Sequence, residues 1–364
     1  MMDKKNIKLF LHRNLTGDSL IVRDLTRGLK KHGIEYELFK FTPNLCHESP
    51  QEVLGMFGYT TKYNVKTSKW HQAKRAMLDL HNNPKTTLLL EQGFAKRTSY
   101  KQFHTQANSE AIYSDDIYYS FGWENICGLG NYKNANSPKD RWEKLGIDLK
   151  NSDWKSKEPV LVCGQIRTDT TIDLEPTENC LEENAVGAKF TPQLMRYSYG
   201  WQYVEWVVDV CKKIIDSGRP CWFKPHPSEI VKYLNDPECL KSFWLRVLPK
   251  EVKIISSHEK SIMDMKYNTI NKLEDLLDQV YCTISYSSNC GVESIIAGVP
   301  SLCDSKYSMI HSLVGGNLQE KLNDLENIKL PTEQERLQWA YNLAYAQWNP
   351  VEIASGEALE HIWN

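Results

Sequence analysis

Residues 164–171, GQIRTDTT, set an amide, a guanidinium, a carboxylate and several hydroxyls on one short stretch. Gln165 and Arg167 can hold an anion there, and Asp169 can take a proton or face a cationic transition state. A second cluster, Lys224-Pro225-His226-Pro227, places an imidazole between two prolines. The prolines fix the local backbone and remove competing amide donors, so the ring is held in one direction beside a lysine, an arrangement suited to phosphate. The third cluster, SYSSNCGVES over 285–294, sets Ser287, Ser288 and Asn289 ahead of a helical pattern. Small side chains allow close approach, and the first amides of a helix attract phosphate. Gly291 permits close contact, and Glu293 stands in the first turn, where it can accept hydrogen bonds from ribose hydroxyls. The competing reading is structural: an ordinary βαβ unit with a capped helix, a solvated acid and a packed histidine.

Each cluster follows an apolar run. Residues 159–166, 221–223 and 280–284 read as strands, and in an open parallel sheet ligands sit at the carboxyl ends of the strands. Between them, apolar residues at 204, 207, 208, 211 and 215 mark an amphipathic helix over 201–215, closed by Gly218. Residues 251–256 read as a strand, and 271–279 as a helix packing through Leu273, Leu276 and Leu277. Gly298 and Pro300 end the helix after the third cluster. The acidic stretch 173–184 reads as an exposed loop able to act as a lid.

The amino-terminal part opens as βαβ. A strand over 6–11 leads to a helix capped by Asp18 or Ser19, with Ile21, Val22, Leu25 and Leu29 on one face, then Gly33 and a strand over 35–41. The first loop lacks GxGxxG, so dinucleotide binding is weakly supported, and Arg13 and Asp18 are acceptor-side candidates instead. Residues 43–65 read as a surface loop, 68–82 as a helix and 86–90 as a strand. That strand ends in Glu91, a carboxylate at a strand's carboxyl edge and another acceptor-side candidate. The aromatic segment 112–132, with Trp123, suits stacking on sugar faces, packing being the alternative. After a polar linker within 134–159, Thr332 and Glu335 form a capping box for a helix reaching Trp348, and a last helix spans 351–363.

The chain has 364 residues, enough for two α/β domains. They are drawn at 1–150 and 151–330, with helices over 331–364 packing back across them. Hydrophobic residues at 41 percent, charged residues at 25 percent and a formal charge of -2 describe a soluble protein with no electrostatic argument for a nucleic-acid partner. The ten cysteines show no CxxC pair or Cys/His ligand spacing; Cys163, Cys221 and Cys282 fall in strands, as small core residues of a reducing cytoplasm do. No apolar run reaches the roughly 20 residues that span a bilayer, and the first residues lack a signal-peptide core, so a cytoplasmic protein is expected.

Taken together, GQIRTD at 164–169, FKPHP at 223–227 and SYSSNCGVESIIAGVP at 285–300 resemble the capsule polysaccharide glycosyltransferases of the Kdo-transferase-like branch. FGWENICGLGNY at 121–132 and the tail AYAQWNPVEIASGEALEHIW at 344–363 also look like members of that group encoded by bacteria and phages. The resemblance implies a GT-B fold, two Rossmann-like domains facing a cleft, the first receiving the acceptor and the second a nucleotide-sugar. It makes Asp169 the catalytic carboxylate with Gln165 beside it, sets His226 and Pro227 on the donor phosphate, and assigns phosphate and ribose to Ser287, Ser288 and Glu293. The reaction implied is substitution at an anomeric carbon. Charge building on the leaving phosphate is met by Lys224, His226, the serine hydroxyls and helix amides. The nucleotide-sugar is a co-substrate and no cofactor is expected. No DxD pair is placed to hold Mg²⁺, so a metal-independent enzyme is expected. The acceptor is a glycan or, for a phage enzyme, a hydroxymethylated pyrimidine in DNA. The alternatives are a nucleotide-sugar epimerase and a non-catalytic sugar or nucleic-acid binding protein.

Overall fold

The computed structural model describes residues 6–11, 17, 19–40, 53–57, 87–96, 118–167, 169, 171–172, 174, 201–226, 243–256, 258–260, 267–269 and 271–363. Arg13, Asp18, the helix expected over 68–82, Pro227 and all but residue 174 of the acidic stretch lie outside them. The chain divides into two units, Met1–Ile147 with Leu337–Asn364, and Asp148–Arg336.

The first unit begins with β1 (Asn6–Leu11), α1 (Leu20–Lys31), β2 (Glu35–Lys40), β3 (Val53–Phe57), β4 (Thr87–Gln92), β5 (Tyr119–Trp123) and α2 (Asp140–Leu145). The second contains β6 (Val160–Cys163), α3 (Trp201–Asp216), β7 (Cys221–Lys224), β8 (Lys253–Ile254), β9 (His258–Lys260), β10 (Tyr267–Thr269), α4 (Leu273–Leu277), β11 (Cys282–Ser285), α5 (Cys290–Ile296), β12 (Ser301–Cys303), α6 (His311–Val314) and α7 (Leu318–Leu322). Helix α8 (Glu333–Ala344) leads back to the first unit, which ends with β13 (Gln347–Trp348), α9 (Pro350–Ser355) and α10 (Glu357–Trp363).

The first sheet has the order β13-β5-β4-β3-β1-β2. Strands β2, β1, β3 and β4 are parallel; at one edge β5 pairs antiparallel with β4, and β13 antiparallel with β5. Three expectations are corrected here. Residues 43–65 contain the central strand β3, which Gly55 disguised: a central parallel strand has no polar alternation, and a glycine breaks its apolar run. The helix expected to reach Trp348 stops at Ala344, and Gln347 and Trp348 pair with Ser120 and Tyr119. The last helix is two, parted by Gly356 at φ 88°. Asn349 and Glu352 cap α9 reciprocally, with Pro350 at the first turn.

The second sheet is wholly parallel, in the order β12-β11-β6-β7-β8. Counting β6, β7, β8, β11 and β12 as first to fifth, this is 5-4-1-2-3, the doubly wound arrangement. Successive strand residues bury on opposite faces. Val160, Val162, Phe223, Cys282 and Ile284 meet Val204, Val207 and Cys211 of α3. Leu161, Cys163 and Val280 join Leu276, Leu277 and Val299 on the other side. Burial on both faces explains why these strands read as continuous apolar runs. The strand expected over 251–256 is the two-residue β8.

Candidate active site

In a doubly wound sheet the order reverses between the first and fourth strands, and the crevice at their carboxyl ends is the usual ligand site. Here those strands are β6 and β11, and the residues leaving them are Gln165 and Ser287. The ends of β6 and β7 run side by side because residue 164 is glycine. Its amide donates to the Lys224 carbonyl at 2.7 Å. A Cβ there would lie 2.8 Å from that carbonyl oxygen and 3.0 Å from the His226 amide nitrogen.

Gln165 bridges the reversal. Its backbone amide donates to the Tyr203 hydroxyl at 2.7 Å. Its side-chain nitrogen donates to Thr171 Oγ1 at 2.7 Å and to Ser287 Oγ at 2.9 Å. Its side-chain oxygen accepts from the Ser287 amide at 3.2 Å and lies 3.0 Å from Ser287 Oγ. Both hydrogens of the carboxamide and one lone pair of its oxygen are thus used within the protein. Gln165 therefore positions the loops, where the sequence had made it a donor ligand.

Asp169 caps its own loop with one oxygen. Oδ1 accepts from the Thr171 amide at 2.9 Å and from Thr171 Oγ1 at 2.8 Å. Oδ2 has no hydrogen bond among the described residues, and the residue is half-buried. One oxygen thus fixes the rotamer and the other stays open. Arg167 is buried, its guanidinium carbon 4.5 Å from the Phe243 ring centroid and 5.9 Å from that of Trp244.

Lys224 ends β7 and is buried. Burial pushes its ammonium below the ordinary lysine range, and the thiols of Cys163 and Cys290 beside it act the other way. His226 follows, half-buried, after Pro225. On β11's loop, Ser288 accepts from the Cys290 amide at 3.3 Å and donates to Cys290 Sγ at 3.1 Å, so it shapes the start of α5. Asn289 is the half-buried N-cap residue without a side-chain cap bond, and Glu293 stands exposed in the first turn.

The sequence reading missed a carboxylate on the neighbouring strand end. Asp304 follows β12, and its Oδ2 accepts from the Trp206 indole at 2.6 Å. Trp206 stacks on Tyr203 at 5.6 Å, and Tyr286 packs edge-on against both. Thr171 was also passed over as one hydroxyl among several. Trp206 lies on the buried stripe of α3, and Asp304 closes a short apolar run, so neither pattern carried a signal for a site.

The acceptor-side candidates are not assembled by the described residues. Arg13 and Asp18 lie outside them. Glu91 is the half-buried penultimate residue of β4 and accepts from the Gln92 amide at 3.3 Å. Trp123 is corrected to a core residue: it is buried, its indole nitrogen donates to the Ile362 carbonyl at 2.8 Å, and its ring meets Trp363 edge-on.

No family model and no curated protein matches the chain. Solved structures do. A beta Kdo 2,4 transferase, KpsC of Thermosulfurimonas dismutans, aligns at 14% identity over 93% of this chain and 90% of its own, with a TM-score of 0.41. The beta Kdo 2,7 transferase of the same protein aligns at 12% identity over 92% and 90%, with a TM-score of 0.38. A Methanocaldococcus jannaschii UDP-GlcNAc 2-epimerase, solved with UDP-GlcNAc and UDP, aligns at 13% identity over 92% and 97%, with a TM-score of 0.26. With these three scores below 0.5, functional assignment rests on the chain's own residues. Among the described residues, no helix is long and apolar enough to cross a membrane.

Proposed function

We propose that the second unit binds a nucleotide-activated sugar and that the chain transfers the sugar to a hydroxyl acceptor. The observation that carries this reading is Asp169: a carboxylate locked through one oxygen and open at the other, beside the reversal point of a doubly wound sheet. In the reaction Oδ2 takes the acceptor's hydroxyl proton. The acceptor oxygen bonds to the anomeric carbon, the bond from that carbon to the phosphate oxygen breaks, and its electron pair leaves with the nucleotide. Lys224 and His226 meet the growing phosphate charge, and a lysine held in a low-dielectric site interacts with that charge more strongly than one in water. Glu293 takes the ribose hydroxyls. The chemistry needs no metal, so turnover is unchanged by a chelator. A glycan and a hydroxymethylated pyrimidine in DNA are the two acceptors to be compared.

The test is a thermal-shift screen of UDP-, CMP-, GDP- and dTDP-sugars, followed by assay of the stabilising donor with each acceptor class. A ligand at 100 times its dissociation constant stabilises by about 2.7 kcal/mol, which a melting curve resolves. Lys224→Ala and His226→Ala each weaken that donor by about 1.5 to 3 kcal/mol, the worth of one charge-assisted hydrogen bond. Unchanged affinity in both removes the donor from these strand ends, and conversion of the sugar without acceptor assigns an epimerase instead.

A further inference from the structure

The contact between Ser287 and Thr171 constrains where hydrogens lie. Their hydroxyl oxygens are 2.6 Å apart, so one hydroxyl hydrogen sits between them. Each oxygen also accepts one of the two Gln165 amide hydrogens, at 2.7 Å for Thr171 and 2.9 Å for Ser287. A carboxylate only accepts, and Asp169 Oδ1 lies 2.8 Å from Thr171 Oγ1, so the Thr171 hydrogen points to Asp169. The hydrogen between the hydroxyls then belongs to Ser287, which gives it across the shorter 2.6 Å contact and not to Gln165 Oε1 at 3.0 Å. The order is Ser287 to Thr171 to Asp169, and Gln165 Oε1 keeps the Ser287 amide at 3.2 Å.

A phosphate oxygen is also an acceptor only. It can bind Ser287 Oγ, the 9% exposed head of this chain, by drawing off the Ser287 hydrogen. Two hydroxyl oxygens at 2.6 Å without a hydrogen between them repel. Thr171 relieves this by turning its own hydrogen toward Ser287. Asp169 Oδ1 then loses one of its two bonds and keeps the other, from the Thr171 amide at 2.9 Å.

We propose that Ser287 and Thr171 form a two-hydroxyl relay through which a phosphate seated on the β11 loop releases one hydrogen bond from the Asp169 carboxylate. Two O–H bonds rotate, none breaks, and no proton changes owner. Thr171 is a positioning residue in this scheme: it holds the carboxylate while the donor is absent and lets it go when the donor arrives. The inference rests on the nucleotide-phosphate reading of this site. It adds that phosphate binding works against the Thr171 to Asp169 bond.

Titration calorimetry with UDP, CMP, GDP and dTDP tests it on wild type, D169N, T171V, T171S, S287A and the pairs D169N/T171V and D169N/S287A. An amide oxygen holds the Thr171 hydrogen less strongly than a carboxylate, so D169N tightens the bound nucleotide by roughly fivefold. That gain shrinks to within about twofold in the T171V and S287A backgrounds, where the relay is cut at one end or the other, while T171S matches wild type. S287A keeps the test intact should T171V fold poorly. A D169N gain of equal size in both cut backgrounds is plain loss of charge repulsion and overturns the relay, as does the absence of any gain. Failure of all four nucleotides to bind the wild type overturns the nucleotide reading itself, and the relay with it.

Discussion

At the scale of single residues, Asp169 and Lys224 carry opposite kinds of cost. Asp169→Asn keeps an acceptor for the Thr171 amide, so the loop holds, but Oδ2 is replaced by a nitrogen that takes no proton. Turnover is expected to fall by about 10² to 10⁴ while the melting temperature stays near wild type and donor affinity does not weaken. Near wild-type turnover in the folded variant sinks the catalytic assignment. Lys224 is charged in a buried site, and burial lowers its affinity for the proton relative to the unfolded chain. The sign follows: below its folded value the charged lysine costs stability, and the cost fades as pH rises past that value. Lys224→Met should therefore melt higher than wild type at neutral pH and lose donor binding, the mark of a charge retained for a ligand. A lower melting temperature with intact binding would make Lys224 structural.

At the scale of elements, helix α1 touches α9 through Gly28. A Cβ there would lie 2.3 Å from the Ile353 carbonyl oxygen and 3.1 Å from a Leu359 methyl carbon. The nearer obstacle is backbone and cannot swing away. Alanine normally gains about 1 kcal/mol over glycine within a helix, yet Gly28→Ala is expected to destabilise the first unit by a net 1 to 3 kcal/mol, roughly the cost of overpacking. Urea unfolding followed on that unit checks it, and donor affinity of the second unit serves as the control. A stabilised variant would show that α1 and α9 are not in this contact in solution.

At the scale of the whole molecule, the last residues complete the first unit. Arg141 donates to both oxygens of Glu352 at 3.0 Å and to the Gln347 carbonyl at 2.8 Å, and its guanidinium lies 3.7 Å from the Trp348 ring centroid. Gln347 in turn accepts the amides of Phe94 and Ala95 at 2.7 and 3.1 Å, holding the loop after β4. Burial pushes the Glu352 carboxyl up, but bonds from Arg141, Lys144 and the Asn349 amide outweigh it and hold the group below the ordinary carboxylate range. A depressed folded value means stability that is present above the unfolded value, near 4.3, and lost as pH falls through the folded one. The first unit should thus weaken below about pH 4. Glu352→Gln should be less stable at neutral pH by roughly 3 kcal/mol, because Arg141 is left buried without its counter-charge, and should lack that acid limb. Melting curves from pH 3 to about 7 decide between this and a pair that contributes nothing.

What the sequence determined alone is what local patterning can carry. Strands buried on both faces appear as apolar runs, and polar clusters punctuate their ends, so the positions of Gln165, Asp169, Lys224, His226 and the Ser287 loop at strand termini were legible. Only the tertiary structure decided which of these groups face a ligand and which spend their hydrogen bonds on one another. Gln165 and Thr171 meet Ser287 across 122 and 116 positions of chain, because β6 and β11 are neighbours in the sheet. Strand order is a global choice that no local period encodes. Trp123 shows the same limit: its aromatic run is one a sugar-binding loop would also have, and it became a core strand because the chain's last helix supplies the carbonyl that its indole needs.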